Sequence, residues 1–133
     1  MKEIVIDASH GTLGRIASYV AKQALLGKTI AIVNCNEALV TGKRAATLKE
    51  YSEKRARGGS SLKGPNFPRH PERIMKRTIR GMLSYKQARG SQALDRVKCY
   101  NSIPAELEQT KKISLKREIK VKAIKLKEIS KTI

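Results

Sequence analysis

Residues 4–33, IVIDASHGTLGRIASYVAKQALLGKTIAIV, decide the fold. Ile4, Val5 and Ile6 form a short apolar run, as in a strand covered on both faces. Leu13, Ile16, Ala17, Val20, Ala21, Ala24 and Leu25 then recur at intervals of three and four. That spacing keeps one apolar stripe on a helix. Thr12 stands where an N-cap belongs, and Gly27 where a helix closes. TIAIV, residues 29–33, reads as a second buried strand. Strand, helix and strand make a βαβ unit, which implies a parallel sheet with a right-handed crossover.

The turn inside this unit, DASHGTLGR, follows a strand and opens a helix, so its backbone N–H groups could meet an anion. It satisfies neither familiar nucleotide motif. A P-loop needs G-x-x-x-x-G-K-[ST]; here Gly11 and Gly14 are three apart, and Arg15 lacks a following Ser or Thr. The dinucleotide fingerprint lacks its first glycine, and Asn34, Cys35 and Asn36 stand where an acidic ribose ligand would follow the second strand. Three readings stay open: a tight turn with a close helix–sheet contact at Gly14, one polynucleotide phosphate near Arg15, or a mononucleotide site.

Charge is the outlying property. The 133 residues carry 29 Lys and Arg against 11 Asp and Glu, a formal net charge of +18. Such an excess attracts polyanions, nucleic acid first and anionic membrane second. No apolar run approaches the roughly 20 residues of a membrane span. The start has no basic segment followed by an apolar signal core, so the sequence reads as cytoplasmic. Cys35 and Cys99 have no C-x-x-C spacing and read as buried free thiols. With only His10 and His70 beside them, no metal or cofactor is expected.

The cations concentrate in residues 43–98, which hold 16 Lys and Arg against Glu50, Glu53, Glu72 and Asp95. After a connection at 34–42, a helix is expected over 44–57, with Ala45, Leu48 and Tyr51 or Ser52 inward. Residues 58–71, GGSSLKGPNFPRHP, cannot form a regular element. They read as a basic extended loop, mobile until a partner orders it. Pro71 suits a helix start, and Glu72 complements the dipole of a helix reaching about Ser84. At about 100° per residue, Met75, Ile79, Met82 and Leu83 fall on one side and Arg73, Lys76, Arg77 and Arg80 on the other. A solvated helix face normally mixes signs, because like charges destabilise it. An unmixed cationic face points to phosphate, and arginine suits bidentate phosphate contact.

A Lys/Arg/Gly turn, a short helix and a strand near 97–100 follow. The basic tail, 111–133, has Leu126, Ile129 and Ile133 spaced for a last helix. RNA is favoured over DNA: no helix-turn-helix, zinc finger or basic zipper is present. Phe67, His70 and Tyr85 could stack on unpaired bases. Arg57, Lys63, Arg69 and His70 would line the loop, and Lys86 and Arg89 the turn. Lys43 and Arg44 oppose a helix dipole, which an external anion would relieve.

The blocks IDASHGTLGRIASYVAKQALLGK and FPRHPERIMKRTIRGMLSYKQARGSQALDRVKCYNSIP together resemble the universal large-subunit ribosomal protein thirteen family, in its archaeal and eukaryotic form. The most specific parts are residues 11–18, RTIRGML at 77–83, and ARGSQALDRVKCY at 88–100. The family usually has a proline after GML; Ser84 stands here, which bears on where the helix ends. The resemblance implies a three-layer α/β/α single domain over 1–133 with a small, largely parallel sheet. It also implies no catalytic activity, a structural place in the large subunit beside neighbouring ribosomal proteins, rRNA contact and early assembly. By position, the rRNA-facing segment would be 55–96, including Arg55. The rivals are a nucleotide-dependent enzyme built on the 7–15 loop, with Asp7 its one well-placed carboxylate, and a free RNA-binding regulator of translation.

Overall fold

The computed structural model describes residues 3–56, 68–114 and 122–132. Strands β1 (Glu3–Asp7) and β2 (Thr29–Val33) pair in parallel, Glu3 opposite Thr29 through Asp7 opposite Val33. Helix α1 (Leu13–Leu25) makes the crossover between them, as the opening stretch requires. The sheet is extended at both sides in parallel. β4 (Val97–Cys99) joins β2, and β5 (Ile113–Ser114) joins β1, giving the order β4-β2-β1-β5.

Strand alternation divides the core. Ile6, Ile30 and Ile32 face a cluster that includes Ile16 and Val20 of α1. The same cluster takes Ile74, Met75 and Ile79 from α3 (Pro71–Gly81), and Leu126 and Ile129 from α5 (Leu126–Thr132). Val5, Ala31 and Val33 point the opposite way, under Tyr100, Ile103 and Leu107. Of the two outer layers expected, one therefore carries these helices. Among the described residues, the other is the 100–107 segment with a single 3-10 turn, Ala105–Leu107.

Several local expectations are corrected. Residues 34–42 are more than a connection. Asn34 takes a left-handed φ of 58°, a 3-10 turn covers Cys35–Glu37, and β3 (Leu39–Thr41) follows. β3 pairs antiparallel with β6 (Ala123–Lys125), a partner so distant in sequence that no local pattern announces it. In α2 (Arg44–Ala56) the buried residues are Thr47 and Tyr51, with Leu48 packed against the core and Ala45 exposed. Leu25 leaves the apolar stripe of α1 at 38% exposure. Thr12 has the extended backbone of an N-cap, but its side chain makes no capping hydrogen bond.

α3 stops at Gly81, three residues short of Ser84, and the N–H groups of Met82 and Leu83 reach back only three residues, to Ile79 and Arg80. That tightening moves Met82 out of phase, leaving it 46% exposed, while Ile74 takes an inward place. α4 begins at Ala88 and runs to Asp95, so Arg89 and Gly90 are helical and not in a turn. The described part of 111–133 supplies β5, β6 and α5, with Leu126 and Ile129 buried as their spacing implies. Arg57, Lys63, Phe67, Ile133 and the expected mobility of residues 58–67 lie outside the described residues.

Candidate nucleic-acid interface

α3 is built to present charge on one side. Pro71 fixes the first turn, Glu72 lies at the positive end of the dipole, and Ile74, Met75 and Ile79 anchor the inner face. Arg73, Lys76, Arg77 and Arg80 occupy the outer face. With Pro68 and Leu94 of α4 they line one open cleft of about 330 Å³. No acidic side chain among the described residues lines it. Among the described residues, no ion pair holds Arg73, Lys76 or Arg80. The Arg80 guanidinium lies 4.8 Å above the Tyr85 ring, so one face of that ring stacks on its own chain.

The far wall of this cleft depends on a contact that the sequence did not announce. A Cβ on Gly90 would come within 2.0 Å of the Ser84 carbonyl oxygen, so only glycine lets α4 lie against the turn after α3. Ser84 itself accepts a hydrogen bond from the Gln87 N–H at 2.9 Å, closing that turn. α4 then holds Leu94 beside the α3 cations.

A second cleft, about 600 Å³, adjoins the first and shares Pro68 and Arg73 with it. Among the described residues, its remaining lining is Arg55, Arg69, His70, Ser130 and Lys131. Arg69 Nε donates to the Ser130 carbonyl oxygen at 2.9 Å, tying the approach to α3 to the last helix. No local pattern marks Lys131, because α5 reaches this cleft only through tertiary packing.

The other candidates are scattered. Lys43, Lys86 and Arg89 are exposed outside both clefts. Arg44 Nη1 pairs with Glu128 Oε2 at 3.0 Å, an internal partner for the cation expected to need an external anion. Arg96 turns inward, its Nη1 donating to the Ala24 carbonyl oxygen at 2.8 Å. It thereby places a cation at the C-terminal end of α1.

The glycine turn packs closely at one point. Gly14 has open space around it, so the close approach is at Gly11, where a Cβ would meet Ile16 Cδ1 at 2.8 Å. His10 N–H donates to the Glu37 carbonyl oxygen and Gly11 N–H to that of Ala8. Asp7 Oδ1 accepts from the Ser9 N–H at 3.0 Å and from Asn34 Nδ2 at 3.1 Å. Burial pushes the Asp7 carboxyl up, but these bonds outweigh it and its pKa lies below the ordinary value. Asp7 is thus a turn residue. Cys35 is buried beside Cys99; that neighbouring thiol and burial push the Cys35 pKa up, so it stays a protonated, inert thiol.

A family model described as ribosomal protein L13 matches residues 1–106. The chain belongs to the ribosomal protein L13 family. Similar proteins carry the name large ribosomal subunit protein uL13. That of Methanosarcina barkeri is 54% identical over 112 residues, covering 84% of this chain and 79% of the relative. That of Methanocaldococcus jannaschii is 44% identical over 130 residues, 96% of this chain and 94% of the relative. That of Haloarcula marismortui is 40% identical over 133 residues, 98% and 90% respectively. An L13 protein is a structural component of the ribosome and not an enzyme, which removes the nucleotide-dependent enzyme as a rival. The L13 match contains the whole α3–α4 cleft and stops before Ser130 and Lys131.

Proposed function

We propose that this chain is a constituent of the large ribosomal subunit that stabilises folded rRNA by neutralising its phosphates, joins the particle early in assembly and works in the cytoplasm. The observation that carries this reading is the convergence of Arg73, Lys76, Arg77 and Arg80 on one cleft with, among the described residues, no acidic side chain in its lining. Like charges so placed repel one another, and a phosphate chain along them reverses the sign of that term. Arg57, Lys63, Arg69 and His70, the cations and imidazole expected to line the 58–71 loop, extend the contact. Lys43, Lys86 and Arg89 add cations at the periphery. Neighbouring large-subunit proteins complete the environment.

The test is incorporation. Reversing Arg73, Arg77 and Arg80 to Glu should exclude the protein from large subunits while the free chain keeps its circular-dichroism spectrum. Neutralising about 6–10 phosphates also implies a roughly 10³–10⁵-fold loss of RNA affinity between 50 and 200 mM salt. Normal incorporation of the folded triple variant would overturn the assignment.

A further inference from the structure

The second cleft is built from parts of the chain that no local pattern connects: the end of α2, the approach to α3, and the end of α5. Among the described residues, its lining carries Arg55, Arg69, Arg73 and Lys131 as permanent cations, with His70 and Ser130, and no carboxylate. The acidic residue of α5, Glu128, is engaged by Arg44 at 3.0 Å. Lys131 alone could be explained as a cation complementing the negative end of a helix. Arg55 likewise stands in the last turn of α2. Helix ends do not account for Arg69 and Arg73, which come from the approach to α3 and its first turn and line the same space. One bond ties the two sides of the cleft, from Arg69 Nε to the Ser130 carbonyl oxygen, and no other hydrogen bond among the described residues holds that guanidinium.

The two clefts are neighbours along α3 and meet at Pro68 and Arg73. From residue 70 to residue 80 the helix rises about 15 Å. Several consecutive phosphates cover that length, at about 3.4 Å of rise per residue in a stacked strand. We propose that the α2–α3–α5 cleft is a second phosphate site on the same RNA backbone. Lys131 and Arg55 there extend, past Arg73, the track that Lys76, Arg77 and Arg80 begin. The inference rests on the rRNA-binding reading and adds to it a role for the last helix, beyond the stretch matched by the family model.

The experiment measures binding of the full chain to a large-subunit rRNA transcript as a function of salt. Each phosphate contact contributes about 0.7–0.9 to the slope of log affinity against log salt. The double variant Arg55→Gln, Lys131→Gln should therefore flatten the slope by about 1.4–1.8. Lys131→Gln alone changes one exposed side chain and should flatten it by about half as much. Hydroxyl-radical protections lost in the double variant should adjoin, in RNA sequence, those lost in Arg80→Glu. An unchanged slope in both variants, while the Arg73, Arg77, Arg80 reversal abolishes binding, would overturn the second site and leave the first standing. Lost protections on a separate RNA segment would overturn the continuous track. Salt-independent binding by the unaltered protein would instead sink the rRNA reading itself.

Discussion

Gly90→Ala sets two physical effects against each other, and the structure decides the sign. Gly90 lies inside α4, where alanine is favoured over glycine by about 1 kcal/mol. Propensity alone therefore predicts a more stable protein. The added Cβ, however, would lie 2.0 Å from the Ser84 carbonyl oxygen and 2.2 Å from its carbonyl carbon. Carbon and oxygen in ordinary contact are about 3.3 Å apart, so α4 and the turn must separate by more than about 1 Å. Both partners are backbone, and no rotamer change relieves the overlap. Overpacking of this kind costs about 1–3 kcal/mol. At the upper end, and after the propensity gain, the net loss is about 2 kcal/mol. At about 2.1 cal/mol/K per residue, 133 residues give an unfolding entropy near 0.28 kcal/mol/K, so the melting temperature should fall by about 7 °C. Gly81→Ala is the control, since nothing lies within 4 Å of its added Cβ. It should be neutral or stabilising by up to about 1 kcal/mol. Thermal melts of the free protein, followed by circular dichroism, read both. A Gly90→Ala protein that melts at or above the unaltered chain would refute the close-approach argument.

Further outcomes follow from other contacts. Gly11→Ala should cost less than Gly90→Ala, because the atom met at 2.8 Å is the tip of the Ile16 side chain, which can rotate; equal losses in urea denaturation would contradict this. Arg96→Ala removes a charged donor from the Ala24 carbonyl at the end of α1 and should lower stability by about 1.5–3 kcal/mol; an unchanged urea midpoint would show that water replaces the guanidinium without loss. Glu37 bonds to Lys125 and Lys127, which hold its carboxyl below the ordinary value of 4.5. Its contribution is therefore present above about pH 4.5 and lost as pH falls through the lower folded value. Glu37→Gln should be less stable than the parent at pH 7 and should lose less stability between pH 5 and pH 3; parallel pH curves for the two proteins would count against the pairing.

The βαβ unit was legible because its signals are local: two apolar runs and a three–four periodic stripe lie within 30 consecutive positions. The cationic face of α3 was legible for the same reason, and its four side chains do meet in one cleft. What escaped notice depends on distant partners. β3 is only three residues long and is defined by pairing with β6. Thr47 is buried where Ala45 was expected, because the packing of α2, not hydropathy, sets its inner face. Met82 belongs to the apolar side only if the helix continues, and the shift to three-residue bonds after Gly81 removes it. Lys131 joins Arg55 and Arg73 only once α5 has docked. The critical glycine of the first turn is Gly11 and not Gly14; sequence spacing cannot tell which of them meets another side chain.

The β3–β6 pairing bears on the timing of biogenesis. Translation runs from the N-terminus, and an early segment can dock only on what has already emerged. Leu39, Val40 and Thr41 must wait for residues 123–125, and Arg44 for Glu128. A growing polypeptide can thus form its first parallel pair early, yet β3 lacks its antiparallel partner until residues 123–125 appear. A premature stop before residue 123 would release a molecule carrying an unpaired β3 and a large positive charge, a species suited to non-specific clumping on any polyanion.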